Sequence, residues 1–254
     1  MPRPAVRLLL ALCLASAAAP AAAQVDDQSA PMQAEFHFAR LAFGINGRSF
    51  TESRGEPWLR DWPDAEFHFL EGVNRMTSLD ADGEFRQVSL TSDALYDYPV
   101  LYAVKVGYWY LSDPEIERLR EYLERGGFLI VDDFHGPGEW EQFAFSMRRV
   151  FPDRPIVDIP DEHEIFHVLY DLDDRQQIPG RNSVYWGVTW EHPLGRPEYW
   201  RGIADDAGRL VVAINFNMDL GDAWEHADDA FYPEPMTALA YRIGINYLIY
   251  ALTH

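Results

Sequence analysis

The chain has 254 residues, of which 41 are acidic and 21 are Lys or Arg, and its formal charge at neutral pH is −20. A field of that sign repels nucleic acid and anionic membrane surfaces, which excludes both as binding partners. It is compatible with cationic or neutral ligands, and also with a charge that serves solubility alone.

The first 23 residues have the three parts of a cleavable secretory signal. Arg3 and Arg7 form a positive start, an apolar run extends from Leu8 to Ala19, and three alanines precede Gln24. We expect cleavage at this point, export to a bacterial periplasm and no membrane insertion afterwards. The mature chain would lose its single cysteine, Cys13, and its formal charge would become −22 because two arginines are removed.

After the signal, the chain predicts a short lead-in and one domain. Residues 24–34 are small and polar and indicate a disordered segment, and residues 35–254 are long enough for a single α/β domain with its own core. The segment from Arg48 to Asp64 is rich in Gly, Pro and charge and predicts a long loop. Short strands are predicted at Phe36–Phe43, Glu66–Leu70 and Phe85–Leu90.

The clearest pattern begins at residue 100. Val100–Val106 predicts an apolar strand, and Ser112–Glu115 matches a capping box that begins an amphipathic helix. Gly126 and Gly127 end that helix, and Phe128–Val131 is an unbroken apolar run, typical of a strand buried on both faces. Together these elements predict a βαβ unit with two parallel strands.

The remaining elements continue the alternation of strands and helices. Asp132–Gly138 predicts a loop, followed by a helix over residues 140–151 that Pro152 ends. Further strands are predicted at Pro155–Ile159 and Ser183–Thr189, a hairpin from Tyr199 to Phe216, and a closing helix at Met236–Leu252. The pattern indicates a three-layer α/β sandwich around a mostly parallel sheet.

Three blocks of sequence carry a family resemblance. The block from Gly126 to Asp133, with the strand and helix before it, resembles the core of the class I glutamine-amidotransferase-like fold. With Asn217–Glu225 and Gly244–Tyr247, nearly all of the mature chain resembles domain-of-unknown-function family 4159. The resemblance implies a flavodoxin-like fold and a place outside or at the membrane, within an envelope protein complex. It implies no established activity.

The absence of cysteine from the mature chain excludes one reaction. Class I amidotransferases need a cysteine nucleophile with a His-Glu pair, and a chain without a thiol cannot hydrolyse glutamine by that route. Glu191 and His192 are therefore interpreted as a coincidental pair.

Two acidic segments follow predicted strands and form the candidate ligand site. In open parallel sheets, ligands gather beyond the carboxyl ends of the strands. If the two segments converge, their carboxylates and imidazoles would suit a divalent cation or sugar hydroxyls. The alternative is that these side chains cap helices and bind loop amides. The candidate residues are Asp132, Asp133, His135, Asn217, Asp219, Asp222, Glu225 and His226.

A second metal pattern occurs elsewhere. His163, Glu164 and His167 match the His-Glu-x-x-His arrangement, which on a helix presents two imidazoles for zinc and a glutamate as general base. No third ligand follows at a suitable spacing, and Pro179-Gly180 interrupts any long second helix. We treat this as the weaker metal site, and the alternative is a surface loop or short helix with Ile165 packed inward.

These observations favour a non-catalytic module of the cell envelope that binds a small polar ligand or serves an envelope protein complex. No cofactor is predicted, although a divalent cation fits the acidic segments. The alternative is a metal-dependent hydrolase of an envelope glycan or peptide. Its general base would be Asp132, Asp133 or Asp222, and its proton donor His135 or His226. A tightly held metal ion would favour the hydrolase.

Overall fold

The computed structural model describes residues 34, 36–45, 56–81 and 83–254. The predicted signal peptide, nearly all of the lead-in and part of the predicted loop at 48–64 lie outside these residues. The described strands are β1 (Phe38–Ala42), β2 (Arg86–Ser89), β3 (Val100–Val104), β4 (Phe128–Phe134), β5 (Val157–Asp158), β6 (Tyr199–Ala204) and β7 (Leu210–Phe216).

The described α-helices lie between and after these strands. They are α1 (Asp64–Met76), α2 (Asp113–Glu124), α3 (Gly136–Val150), α4 (Arg181–Tyr185), α5 (Leu220–Glu225) and α6 (Glu234–Thr253). Within the described ranges, none of them has both the length and the apolar composition that crossing a bilayer requires.

The strands form one sheet in the order β2-β1-β3-β4-β7-β6-β5. The first five run parallel to one another, and β6 is antiparallel to both β7 and β5. The parallel part therefore has the flavodoxin-like order, whose direction of winding reverses between β1 and β3. The predicted α/β class, with a mostly parallel sheet, is confirmed.

Helices cover both faces of the sheet and produce three layers. Side chains on a strand alternate between faces, so Val100, Tyr102 and Val104 of β3 pack with α1, α5 and α6. Leu101 and Ala103 of the same strand pack with α2 and α3 on the opposite face. Because both faces are covered, the central strands are continuously apolar rather than alternating, as the sequence indicated.

The predicted βαβ unit is confirmed as β3, α2 and β4. Ser112 caps α2 through a capping box, in which the Ser112 backbone N–H donates to Glu115 Oε2 at 2.8 Å. Gly126 adopts a φ of 104° after the helix, a conformation that glycine reaches without steric cost. β3 and β4 then pair in parallel from Val100 opposite Phe128 to Val104 opposite Asp132.

Two predicted strands are wrong. Glu66–Leu70 lies within α1, because Ala65, Phe69 and Val73 recur at helical spacing and bury one face; the alternation seen over five residues was too short a window. Ser183–Thr189 begins inside α4 and continues as a turn, in which the Val188 N–H donates to the carbonyl of Ser183.

The predicted loop at Asp132–Gly138 is also wrong. Asp132 and Asp133 belong to the carboxyl end of β4, and α3 begins at Gly136. The backbone of β4 continues to hydrogen-bond here, since the Asp133 N–H donates to the carbonyl of Met218 at 3.1 Å. The other predicted strands and the closing helix are present with small shifts at their ends.

The close approach of α6 to α1 and α5 gives the first testable prediction. A Cβ on Gly244 would lie 2.6 Å from Trp224 Cζ2 and 2.7 Å from Phe69 Cε2. We expect Gly244→Ala to lower the free energy of unfolding by about 1–3 kcal/mol, because a well-packed core accommodates extra volume only with strain. Urea denaturation checks this. Gly83→Ala is the matched control, since a Cβ there meets nothing within 4 Å; an equal loss in both variants would contradict the packing argument.

Candidate functional site

The carboxyl ends of four adjacent parallel strands each lead to a charged residue at the same edge of the sheet. Asp61 follows β1 along the chain, Lys105 follows β3, Asp133 lies at the end of β4, and Asp219 follows β7. Asp61, Lys105 and Asp219 line a cavity of about 410 Å³, which we call the acidic pocket, and Asp133 lies next to it. It is lined by Arg60, Asp61, Lys105, Arg181, Asn182, Glu191, Asp219, Asp222, Glu225 and His226.

An ion pair between neighbouring strand ends lies at the base of the pocket. Lys105 Nζ donates to Asp133 Oδ1 at 2.6 Å and lies 3.8 Å from Glu191 Oε2. Burial disfavours the ammonium, but Asp133, Glu191 and Asp219 outweigh it and raise the pKa of Lys105. Burial likewise opposes ionisation of Asp133, yet Lys105 and His135 hold the pKa of this carboxyl below its ordinary value. The pair is therefore charged at neutral pH.

Three carboxylates, which we call the carboxylate trio, converge beside this pair. Asp61, Asp133 and Asp219 each offer an oxygen within 4.8 Å of the other two, and all three side chains are buried. Oδ2 of Asp61 and Oδ2 of Asp133 are buried without a hydrogen-bond partner. Burial and the charge of Asp133 raise the pKa of both Asp61 and Asp219 well above the ordinary value.

Backbone strain is concentrated at this site. In the described part of the chain, the non-glycine residues with positive φ are Asp61 at 63°, Lys105 at 53°, Asp133 at 50° and Asn217 at 66°. Three belong to the ion pair or the trio, and Asn217 lies two residues before Asp219. The left-handed region costs an L-residue roughly 1–2 kcal/mol, less for Asp and Asn. Such residues cluster at functional sites, where the surrounding structure holds them in place.

A buried arginine on β1 positions the segment that carries Asp61. Arg40 donates to the carbonyl oxygens of Trp58 at 3.0 Å and Arg60 at 2.8 Å. Its guanidinium also pairs with Glu66 of α1, and neither side chain has any exposed area. These hydrogen bonds of Arg40 hold the loop before α1 against the sheet, and Asp61 in that loop faces the carboxyl ends of β4 and β7.

Two of the predicted site residues have structural roles. Asp132 Oδ2 accepts hydrogen bonds from the Tyr102 hydroxyl and from the N–H groups of Leu220 and Gly221, which begin α5. Burial and Asp133 nevertheless raise the pKa of Asp132 to about 7. Asn217 accepts from the Gly136 N–H at 2.9 Å and donates to the carbonyl of Pro197. These two side chains therefore bind backbone groups, in the way that the capping alternative describes.

The other predicted residues meet at the pocket. His135 Nε2 lies 3.0 Å from Asp133 Oδ1, and Asp219 accepts from the Asp222 N–H as the N-cap of α5. On the outer wall, His226 Nε2 lies 3.8 Å from Asp222 Oδ1 and 3.7 Å from Glu225 Oε2. The two acidic segments named in the sequence thus converge at one edge of the sheet, as expected.

The His-Glu-x-x-His segment lies apart from this pocket and is not an α-helix. Glu164–Phe166 forms one 3-10 turn, so the two imidazoles do not share a helical face. His163 Nδ1 accepts from the Ile165 N–H, whereas His167 contacts Asp171 and the carbonyl of Asp161. Glu164 pairs with His254 at the end of α6. The geometry offers no shared zinc position at these residues.

Six residues that line the pocket were not predicted from the sequence: Arg60, Asp61, Lys105, Arg181, Asn182 and Glu191. Lys105 was assigned to the interior of a strand, Asp61 to a long loop, and Glu191 to a coincidental pair. The position of Lys105 directly after β3 could have identified it, since charge after an apolar parallel strand marks the ligand edge. Glu191 comes from an irregular segment between β5 and β6. Its approach depends on Gly180, where any Cβ would collide with Glu191 Oε1 and lie 3.0 Å from Asp219 Oδ2.

Removing the ammonium at the base of the pocket should destabilise the fold. We expect Lys105→Met to lower the free energy of unfolding by about 3–5 kcal/mol, because Asp133 would remain buried after losing its closest counter-charge. Chemical denaturation measures the loss, and the double variant Lys105→Met with Asp133→Asn should recover part of it. Arg75→Met, at an exposed ion pair with Glu71, should change little. A loss at Lys105 no larger than at Arg75 would contradict the role of the pair.

The raised carboxyl pKa values predict an unusual pH dependence of stability. In the folded chain, Asp61, Asp132 and Asp219 keep their protons at pH values where the unfolded chain has released them. The folded state then binds more protons, so the free energy of unfolding falls as the pH rises from about 4 through about 7. With chelator present, we expect a higher Tm near pH 5 than near pH 8, and a smaller difference in Asp61→Asn. A Tm that rises over this interval would show that the carboxyls ionise normally.

The family model for a domain of unknown function, DUF4159, matches residues 37–252, which includes every element of the sheet and all residues of the acidic pocket. No curated protein matches the chain. The match covers more than half of the chain and contains all three sequence blocks on which the resemblance was based. The chain therefore belongs to the DUF4159 family.

Proposed function

We propose that this domain is a ligand-binding module of the bacterial cell envelope, and that its acidic pocket takes a small polar ligand that carries positive charge. The proposal rests on one observation: the pocket contains more carboxylates than cations. Its lining includes five carboxylates and three Lys or Arg side chains, and Asp133 adds a sixth carboxylate beneath them.

The cations present do not neutralise this excess. Lys105 is bound to Asp133, and Arg181 Nε pairs with Asp229 at 3.0 Å outside the trio. Charges within a partly buried cavity interact more strongly than charges in water, because the surrounding dielectric constant is lower. A cationic group entering the pocket would therefore gain attraction and relieve repulsion among the carboxylates already there.

The position of the pocket supports a ligand site rather than a solvated acidic surface. It lies outside the carboxyl ends of β3 and β7, and open α/β sheets bind ligands in the crevice at that edge. The strained residues converge on the same crevice. The strand order also supports placement in the class I glutamine-amidotransferase-like superfamily, as a member without amidotransferase activity.

The proposed location depends on the N-terminal sequence. A positive start, an apolar run and alanines before Gln24 support export to the periplasm with cleavage of the signal. A polar ligand of the envelope or an envelope protein complex would be the partner there. The acidic charge of the mature chain argues against nucleic acid and against an anionic membrane surface.

A metal-dependent hydrolase of an envelope glycan or peptide is the second candidate, and His135 is the observation that favours it. Its Nε2 lies 3.0 Å from Asp133 and 3.5 Å from Glu191 Oε1, while Nδ1 is buried without a hydrogen-bond partner. Asp133 and Glu191 raise the pKa of His135 against the opposing effect of burial. An imidazole held in this way could transfer a proton. Metal-dependent cleavage of an envelope substrate, lost in His135→Gln, would establish this activity.

Ligand-induced thermal stabilisation of the mature chain tests the binding proposal. At constant ionic strength, we expect at least one of the cations spermidine, choline, Mg²⁺ and Ca²⁺ to raise the Tm of the protein. Neutral sugars and phosphate should leave the Tm unchanged. The double variant Asp222→Asn with Glu225→Gln should reduce the shift, because both carboxylates line the pocket. Stabilisation by neutral sugars alone, or a shift that the variant leaves intact, would contradict a cationic ligand.

A further inference from the structure

We propose that Asp61, Asp133 and Asp219 coordinate one hard divalent cation, Mg²⁺ or Ca²⁺, at the base of the acidic pocket. This inference rests on the proposed cation-binding function of the pocket and specifies which cation it takes and through which atoms. Asp61 comes from the turn before α1, Asp133 from the end of β4 and Asp219 from the segment after β7, so the site joins segments that are distant in sequence.

The spacing of the trio fits a single ion. Mg²⁺ and Ca²⁺ bind oxygen at about 2.0–2.6 Å, so two ligands of one ion are at most about 4–5 Å apart. The trio offers three oxygens that all lie within 4.8 Å of one another. A common ion can therefore contact one oxygen from each residue with small adjustments of the side chains.

Unpartnered oxygens provide an independent indication. Asp133 has no exposed area and Asp61 is 8% exposed, yet Oδ2 of each is buried without a hydrogen-bond partner. A buried carboxylate oxygen left in this state is costly, and buried charges in proteins are normally paired or bound to metal. Lys105 does not satisfy these atoms, because its ammonium contacts Oδ1 of Asp133. One oxygen of Asp133 thus faces the lysine, and the other is free for an ion.

A glycine near the trio permits the close approach of its oxygens. The position that a Cβ of Gly221 would occupy lies 2.6 Å from Asp61 Oδ2, 3.1 Å from the Tyr102 hydroxyl and 3.5 Å from Asp219 Oδ1. Any side chain at residue 221 would enter this space. The glycine therefore allows Asp61 and Asp219 to bring their oxygens together at the start of α5.

The chemistry of the donors selects the class of ion. The trio contains carboxylate oxygens only, which suit Mg²⁺ and Ca²⁺ better than Zn²⁺, whose sites use nitrogen and sulfur. His135 contacts Asp133 Oδ1 and is placed to orient that carboxylate, as outer residues of metal sites commonly do. The cavity above the trio leaves space for water or for a polar ligand on the open side of the ion.

Calorimetric titration of the chelator-treated mature chain with MgCl₂, CaCl₂ and MnCl₂ tests the site. We expect one ion per chain, and a loss of affinity on the order of 10- to 100-fold or more in Asp61→Asn and Asp219→Asn. Asp228→Asn is the matched control: it makes the same chemical change at an exposed residue outside the trio and should retain wild-type affinity. Absence of binding at millimolar concentrations of all three salts, or equal affinity in all variants, would overturn the inference.

A second measurement uses the protein without substitutions, so it does not depend on whether variants of the trio fold. Mn²⁺ broadens NMR signals close to the bound ion, and we expect the largest effect at the backbone amides of Asp133, Leu220 and Gly221. Broadening centred instead on His163–His167, or on the exposed residues around Asp228, would place the ion elsewhere and overturn the assignment.

The outcomes separate this inference from the function on which it rests. If spermidine or choline stabilises the protein through Asp222 and Glu225 while the metal salts do not bind, the cationic pocket stands and the metal site is wrong. If neither organic cations nor metals bind, both are wrong. Binding of one divalent ion that depends on Asp61 and Asp219 supports both.

Discussion

The ion pair between Lys105 and Asp133 is the interaction on which the carboxyl edge of the sheet depends. It joins the ends of β3 and β4 by a side-chain contact of 2.6 Å, and the Lys105 N–H also donates to the carbonyl of Asp133. Without that positive charge, Asp133 would be a buried anion among further carboxylates, which is among the most costly arrangements in a protein interior. Because the ammonium of Lys105 offsets the charge of Asp133, Asp61 and Asp219 can lie close to that carboxylate. The pocket therefore has one cation bound to the carboxylates at its base and an excess of acid in its lining.

The fold could largely be predicted from sequence where local and tertiary requirements agree. Ser112 and Glu115 form the predicted capping box, and the apolar run from Phe128 became a strand covered on both faces. Prediction failed where a short pattern fitted two structures. Glu66–Leu70 alternates like a strand, but burial of Ala65, Phe69 and Val73 against the core selects a helix. Sequence spacing alone cannot show which face the core will cover.

The candidate site was predictable in part, and for a physical reason. The carboxyl ends of parallel strands share one edge, so Asp133 and Asp219 could be expected to meet once their strands were recognised. Asp61 and Glu191 could not be found in this way, because loops carry them to the pocket. Their approach depends on tertiary contacts: the hydrogen bonds of Arg40 to the loop before α1, and the missing side chain at Gly180. Nor could the sequence show that Asp132 serves chiefly to begin α5.

Lys105 is the only lysine in the chain, and its side chain is 17% exposed at the base of the cavity. Reagents that acylate amines therefore have a single side-chain target, which lines the pocket. Because its raised pKa keeps that amine protonated, labelling in an open pocket is slow, and a bound molecule would slow it further. The rate of Lys105 modification, followed in peptides so that the α-amino group is counted apart, would then report whether the pocket is filled, without knowledge of what fills it.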